Sequence, residues 1–376
     1  MSRWRHLNRA LSAAAAGATI SLVLAAGATA STRQPFLAGL HAVSRVASTV
    51  PVSGPAAGDQ NPYGTAVVPR SVGKLVRGNV LVSNFNDAAN AQGTGSSIVE
   101  VSPGGRVEPF AVVPQPTATP AVGLTTALVA LRSGYVIVGS LPAPGGQASA
   151  ARAGALTVLD PRGRVVESFS GGAINGPWDM TAVDGGRRVV LFVTNVLNGT
   201  VAANGATIDR GTVVRITLQI SPGHAPRLTS ERVIATGFAE HTDPNALIVG
   251  PTGLAIGTNG VLYVADTAGN RIAAIPDALD RTRAASSGGA TLTRGGRLAS
   301  PLGLTIAPDG DVLTVNAGDG KLLETTPSGK QITSRTLVAH GAGDLFGLAV
   351  APNGRGVYFV DDVGSGADAN SLELLH

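Results

Sequence analysis

Apolar residues in this chain fall into short alternating runs, not into the spacing of a helix face, and one order of runs keeps returning. Its clearest copy is Gly250 to Pro276. It contains a small-residue run Leu254-Ala255-Ile256, an Asn259-Gly260 turn, a run Val261 to Ala265, a polar corner Asp266 to Asn270, and a third run from Arg271. Period-two alternation bounded by Gly, Asn and Asp predicts strands joined by tight hairpins, whose turns favour residues tolerant of positive φ. Second strands are predicted at Val80 to Ser83, Tyr135 to Val138, Val189 to Val193, Val261 to Ala265, Val312 to Val315 and Val357 to Val360. Third strands follow at Ser97 to Val101, Ala155 to Leu159, Thr212 to Leu218, Arg271 to Ile275, Lys321 to Thr325 and Ser371 to Leu375. Turns such as Ser102-Pro103-Gly104-Gly105 then lead to a fourth strand.

Each copy opens on a short motif: Pro62-Tyr63-Gly64, Val122-Gly123-Leu124, Pro177-Trp178-Asp179, Pro251-Thr252-Gly253, Pro301-Leu302-Gly303 and Leu345-Phe346-Gly347. The small and branched residues after it suit an innermost strand, where blades converge on an axis and side-chain room is scarce. Six four-stranded antiparallel units predict an all-β, six-bladed β-propeller over residues 61–376. A β-helix would have shorter repeats without hairpins. The last unit ends just after its third strand, at His376, while the stretch Ala42 to Val50 in the segment 31–60 is extended and otherwise unplaced. That stretch is predicted to close the ring as the outer strand of blade six, covering an edge that would otherwise template aggregation.

The pattern Pro251-Thr252-Gly253-Leu254-Ala255, then Leu262-Tyr263-Val264-Ala265-Asp266, then Asn270-Arg271-Ile272 resembles an NHL repeat, with looser copies in blades five and six. NHL propellers include binding modules, lyases and exported bacterial proteins, so the resemblance implies a fold more than a reaction. Calcium-dependent lactonases of similar shape place Asn or Asp beside the opening Gly of several blades. Here those positions read Tyr63, Val122, Trp178 with Asp179, Thr252, Leu302 and Phe346. Zinc-dependent NHL lyases use His residues from separate blades near the axis. Beyond the leader described next, the chain has only His41, His224, His241, His340 and His376, none in an opening motif or at the end of a second strand.

Composition sets the address and narrows the chemistry. Residues 1–30 carry Arg3, Arg5 and Arg9, an Ala-rich apolar run and Ala28-Thr29-Ala30 before Ser31, which reads as a secretory signal peptide cleaved after Ala30. An uncleaved N-terminal anchor is the alternative. The protein is expected to be secreted or periplasmic. Taking those three Arg from the 28 basic residues leaves 25 against 24 acids, a balance that gives no case for a nucleic-acid partner. No Cys is present, so disulfides, thiolate metal sites and Cys nucleophiles are excluded. No later segment reads as a membrane span, and a monomer is expected.

Strand parity puts the opening loops, the second-strand ends and the second-to-third loops on one face, here called face T. Three features converge there. The second strands end in Asn84, Ser140, Asn195, Asp266, Asn316 and Asp361, one per blade. These residues are good corner formers, and they are also an oxygen-rich set able to bind a polar ligand or hold Ca²⁺. Blades one to three carry long loops, Phe85 to Gly95, Leu141 to Gly154 and Val196 to Gly211, expected to raise a wall over half of the face. The connection Phe238 to Val249 holds Glu240, His241 and Asp243, a constellation with acid–base capacity. Asp179 replaces the opening Gly in blade three and is expected to point toward the axis. The leading expectation is an exported scaffold binding a small polar ligand or a protein on face T, with no cofactor. The alternative is a lactonase-like hydrolase with a divalent ion at Asn195, Asp266, Asn316 and Asp361.

Overall fold

The structure is a computed structural model that describes residues 34–115, 121–339, 345–362 and 369–376. The leader expected over residues 1–30, and His340, lie outside the described residues. One unit, Pro35–His376, carries the fold. After the strand β1 (Val43–Ser48), blade one contains β2 (Gln60–Val67), β3 (Val80–Asn86), β4 (Ser97–Val101) and β5 (Val107–Val112). Blade two contains β6 (Leu124–Ala130), β7 (Val136–Ser140), β8 (Leu156–Leu159) and β9 (Val165–Phe169). Blade three has a fifth strand: β10 (Pro177–Asp184), β11 (Arg188–Asn195), β12 (Ile208–Gln219), β13 (Arg227–Asp243) and β14 (Leu247–Val249). Blade four contains β15 (Pro251–Ile256), β16 (Leu262–Asp266), β17 (Arg271–Ile275) and β18 (Ala290–Arg294). Blade five contains β19 (Pro301–Ile306), β20 (Val312–Asn316), β21 (Lys321–Thr325) and β22 (Gln331–Thr336). Blade six contains β23 (Leu345–Val350), β24 (Val357–Asp361) and β25 (Ser371–Leu375).

Every sheet is antiparallel in its sequential pairs, and the innermost strands pack on one another around the ring, with β23 meeting β2. The second strands are buried on both faces, because blades pack face to face and leave them no solvent side. Separate apolar clusters fill the gaps between neighbouring blades. Leu81, Ile98, Leu128 and Val138 join blades one and two, and Phe192, Val213, Leu254 and Val264 join three and four.

Ring closure follows the expected route. β1 pairs antiparallel with β25, from Val43 opposite Leu375 to Ser48 opposite Ser371, and completes the sixth sheet in the order β1-β25-β24-β23. A 3₁₀ turn just upstream, Phe36–Gly39, anchors the segment on blade five. Leu37 and Leu40 are buried against Ala307, Leu313 and Leu322. The backbone N–H groups of Phe36 and Leu37 each donate to a Glu324 carboxylate oxygen at 2.8 Å, and Arg335 donates to the carbonyls of Leu37, Ala38 and Leu40.

Near the axis, the opening glycines are required by close approach. A Cβ on Gly253 would lie 2.3 Å from Leu302 O, and one on Gly303 would lie 1.8 Å from Phe346 O. Register corrects the frame in blade two. Pro62, Pro177, Pro251, Pro301 and Leu345 pair with Asn84, Asn195, Asp266, Asn316 and Asp361, and Leu124 holds that place opposite Ser140. The counterpart of Gly64 is therefore Thr126, not Gly123, which instead makes a turn at φ +64. A second correction concerns 238–249. It continues β13 to Asp243 and returns as β14, with His241 opposite Val249.

Candidate functional site

The axis carries two chambers separated by a constriction. Trp178, Phe346, Leu302, Thr252 and Thr126 line the narrow waist, which has room for little more than one water. Tyr63 stacks between Phe85 and Phe346, with ring centroids 4.3 and 3.9 Å away, and Trp178 stands edge-on to Tyr63 and Phe85.

Below the waist a cavity of about 250 Å³ holds Asp179 with Thr65, Thr126 and Thr305. Asp179 borders this cavity, on the side away from face T. It is half-buried there. Burial raises its carboxyl well above the usual range, against the hydrogen bonds that its two oxygens accept from Met180 N (2.7 Å) and Leu254 N (3.2 Å). At the axial level where four blades have Gly, this carboxyl and the Thr126 side chain occupy the space.

Above the waist, on face T, lies a larger chamber of about 430 Å³. Three kinds of segment build it. The openings of the innermost strands supply Asn61, Tyr63, Thr252, Ser300, Leu302 and Phe346, the end of β3 supplies Asn86, and the positions just past β16, β20 and β24 supply Thr267, Ala317 and Asp362. The tip of the β13–β14 hairpin adds Asn245, Ala246, Ile248 and Val249. Asn61 and Ser300, each before an opening Pro, hold left-handed backbone at φ 59° and 51°. Non-glycine residues take that conformation at a cost, and such strain gathers at binding sites.

The wall expected from the long loops is present. Phe85, Leu141, Ala143, Ala151, Val196, Leu247 and Ile248 form one apolar cluster with Tyr63 and Trp178, tying the loops of blades one to three to the hairpin. Gln92 Nε2 donates to Asn245 O at 2.6 Å, joining the blade-one loop directly to the hairpin tip.

The six corner residues do not line either chamber. Asn84 donates from Nδ2 to Thr49 O and Ser97 Oγ, and Asn195 Oδ1 accepts from Asn175 N. Asn316 Nδ2 donates to Arg297 O, and Ser140 Oγ accepts from Ala155 N. Asp266 is buried in an ion pair with Arg271 at 2.7 Å and also accepts from Gly269 N. Asp361 ends β24 opposite Leu345, in the edge pairing of its own blade. Asn195, Asp266, Asn316 and Asp361 thus sit at the hairpin corners of four different blades, and none of them lines either chamber. One cluster of acids exists elsewhere among the described residues: Asp309, Asp311 and Glu324, with ligand atoms within 4.8 Å of one another. Both Glu324 oxygens there already accept from Phe36 and Leu37, so that cluster anchors the N-terminal segment. Burial first, and then Asp311, raise the Glu324 carboxyl above its ordinary value.

The Glu240, His241 and Asp243 constellation disperses on a strand, as period-two geometry requires. Asp243 caps the hairpin tip by accepting from Asn245 N and Ala246 N, and His241 pairs across to β14. Glu240 is fully buried under the blade-three loop, where Oε1 accepts from Asn198 N (3.1 Å) and Thr200 Oγ1 (3.0 Å) and Oε2 has no partner. Burial pushes its carboxyl up from 4.5 to about 7, against those hydrogen bonds and the field of Arg210.

A carboxyl whose folded value is raised keeps its proton in the native state while the unfolded chain loses it. Stability then falls as pH rises from about 4.5 to about 7, by roughly 3 kcal/mol over that window. Glu240→Gln is expected to flatten this slope in urea melts between pH 5 and 8. An unchanged slope would assign the pH dependence to another group.

Sequence reasoning missed the true lining. Its signal was alternation: when Asp266, Asn316 and Asp361 turn into the corners, Thr267, Ala317 and Asp362 beside them face the other way. The chain is an all-β six-bladed propeller of four-stranded blades, with a fifth strand in blade three. No family model matches it, and no curated protein sequence matches it. Among solved structures it is similar to streptogramin B lyase, with a TM-score of 0.51 at 17% identity over 89% of this chain and 97% of that one. It is similar to a gluconolactonase from Xanthomonas campestris, with a TM-score of 0.54 at 12% identity over 89% and 88% of the two chains. A third likeness is to regucalcin, a calcium-binding protein from Agrobacterium tumefaciens, with a TM-score of 0.52 at 11% identity over 88% and 93%. At these identities the likeness establishes the fold and no activity. Among the described residues, no helix is long and apolar enough to cross a membrane.

Proposed function

We propose that this protein is an exported propeller of NHL type that binds a small organic ligand in the face-T chamber. One observation carries the reading. A walled cavity of about 430 Å³ combines a rigid aromatic base with amide and hydroxyl side chains, the make-up of a ligand pocket. Export rests on the leader sequence, and the NHL assignment rests on the blade-four motif. Hydrolysis at this site would draw its proton acceptor from Asp362, the one lining carboxylate among the described residues, or from a bound metal. Neither streptogramin B lyase nor gluconolactonase lends its substrate to this chain at such identity.

Ala317→Phe places a ring in the chamber without touching the corner hydrogen bonds, and so separates chamber binding from binding elsewhere. Against a library of small polar and amphipathic compounds, those that raise the melting temperature of the wild type are expected to lose that effect in the variant. A hundredfold excess over the dissociation constant stabilises by about 2.7 kcal/mol, enough to read as a melting shift. Compounds that stabilise both proteins equally, or a library that stabilises neither, would overturn the reading.

A further inference from the structure

We infer that the blade-three loop, residues 196–207, is a latch on the face-T wall and that a proton on Glu240 holds it shut. The latch follows from the loop and its carboxyl alone; its effect on ligand affinity rests on the chamber being the binding site.

The hydrogen bonds of the loop depend on that proton. Thr200 is fully buried, and its one hydroxyl proton faces two acceptors, Val196 O at 2.7 Å and Glu240 Oε1 at 3.0 Å. Asn198 N also donates to Oε1, while Oε2 meets no partner among the described residues. With Glu240 ionised, Thr200 serves one acceptor and abandons the other. Either the turn from Val196 to Thr200 loses its bond, or the carboxylate keeps a single donor. With Glu240 protonated, the acid O–H donates to Thr200 Oγ1 and Thr200 donates to Val196 O, so both contacts are hydrogen bonds at once. The observed arrangement is complete for the neutral acid and one proton short for the anion.

The surroundings do little to favour the anion. The loop itself carries no charged residue, and neither do residues 170–176 or Leu247 to Gly250 packed beside it. On the flanking strands the charged and titratable groups are Asp209 and Arg210 of β12, and His241 and Asp243 on the strand of Glu240 itself. Of these only Arg210 bears on the carboxyl by its field, and Arg210 is exposed. Burial prevails over that field and over the hydrogen bonds and holds the carboxyl at about 7, so the latch titrates close to neutrality.

Packing carries the latch to the chamber. Leu197 and Val201 of the loop lie on the cluster of Tyr63, Trp178, Leu247 and Ile248, and Ile248 lines the chamber. Glu240 stands on β13, in the same hairpin whose tip brings Asn245 to the chamber. Between β11 and β12 no strand pairing holds the loop, and residues 204–207 are exposed. Relief of a buried charge therefore comes from lifting the loop, at less cost than parting the five-stranded sheet beneath it.

Hydrogen–deuterium exchange read by mass spectrometry at about pH 5.5 and pH 8, corrected for the intrinsic rate, tests the latch without any ligand. If lifting the loop returns Glu240 to its ordinary 4.5, the open population rises roughly 25-fold over that interval. Peptides spanning 197–206 are expected to lose protection by about that factor in the wild type and to keep it in Glu240→Gln. Glu240→Met, equally unable to titrate, takes its place if the glutamine variant does not fold. No loss in the wild type, the same loss in wild type and variant, or a loss spread over all six blades would overturn the latch. Its effect on binding is read separately. Compounds from the library screen are expected to stabilise the wild type less at pH 8 than at pH 5.5, and Glu240→Gln equally at both. The same pH dependence in both proteins would overturn the coupling to the chamber. A library that stabilises neither would overturn the chamber reading, and the exchange experiment still decides the latch.

Discussion

A chain that begins at Thr49, and so lacks Pro35 to Ser48, is expected to melt about 10 °C or more below the full protein or to aggregate. The segment does three things at once. β1 satisfies the outer edge of β25, Leu37 and Leu40 fill an apolar gap between blades five and six, and the N–H groups of Phe36 and Leu37 satisfy the buried Glu324 carboxyl. Fully burying each leucine contributes about 1.5–3 kcal/mol. Leaving Glu324 without its donors adds the cost of an unmet buried charge. Leu37→Asp, which keeps β1 but removes the anchor, is expected to lose about 3 kcal/mol or more. The account requires both variants to be strongly destabilised in calorimetry. A truncated chain that stays monomeric with unchanged melting would contradict closure by this strand.

Asp266→Ala is expected to destabilise the protein by about 3–5 kcal/mol. Asp266 and Arg271 are both almost completely buried, so the alanine variant strands a guanidinium inside blade four. Arg271 also donates to Thr291 Oγ1 and to the carbonyls of Ser287 and Gly289, and it sits 5.9 Å from the Phe238 ring centroid. Those contacts hold it in place and deny it an escape to solvent. The double variant Asp266→Ala/Arg271→Met removes both charges and is expected to recover most of the loss, because a buried pair replaced by apolar groups is often neutral. Equilibrium urea melts of the two variants decide the point. If Asp266→Ala melts like the wild type, the carboxylate is free for a ligand and the corner assignment is wrong.

Much of the propeller was legible because its strands obey simple chemistry. Val80, Val189, Val312 and Val357 each begin or enter a β-branched run after a Gly-containing turn, and the structure places second strands on all of them. Closure was legible because blade six runs out of chain while Ala42 to Val50 stands unplaced. Blade two was framed wrongly because Gly123 looks like an opening glycine. Only pairing with β7 shows that Leu124 holds that position and that Gly123 serves a turn.

The site was less legible, for a geometric reason. Asn84, Asn195, Asp266 and Asn316 mark the correct end of each hairpin, yet their side chains bond to the backbone of the corner or of an adjoining connection and not into the chamber. The chamber lining sits one position on, at Thr267, Ala317 and Asp362, and a slip of one residue exchanges the two faces of a strand. Asn245 belongs to a hairpin tip that no repeat pattern announces. Glu240 looked like part of a polar connection, because nothing in the local sequence says that the blade-three loop folds over it.

Which cavity takes a ligand can be read directly from crystals of the protein soaked with the compounds that stabilise it. The account predicts difference density in the face-T chamber, between Phe346, Thr252 and Asn245, with the corner residues unmoved and the Asp266–Arg271 pair intact. Density at the second-strand corners, or beside Asp179 below the waist with the upper chamber empty, would contradict it.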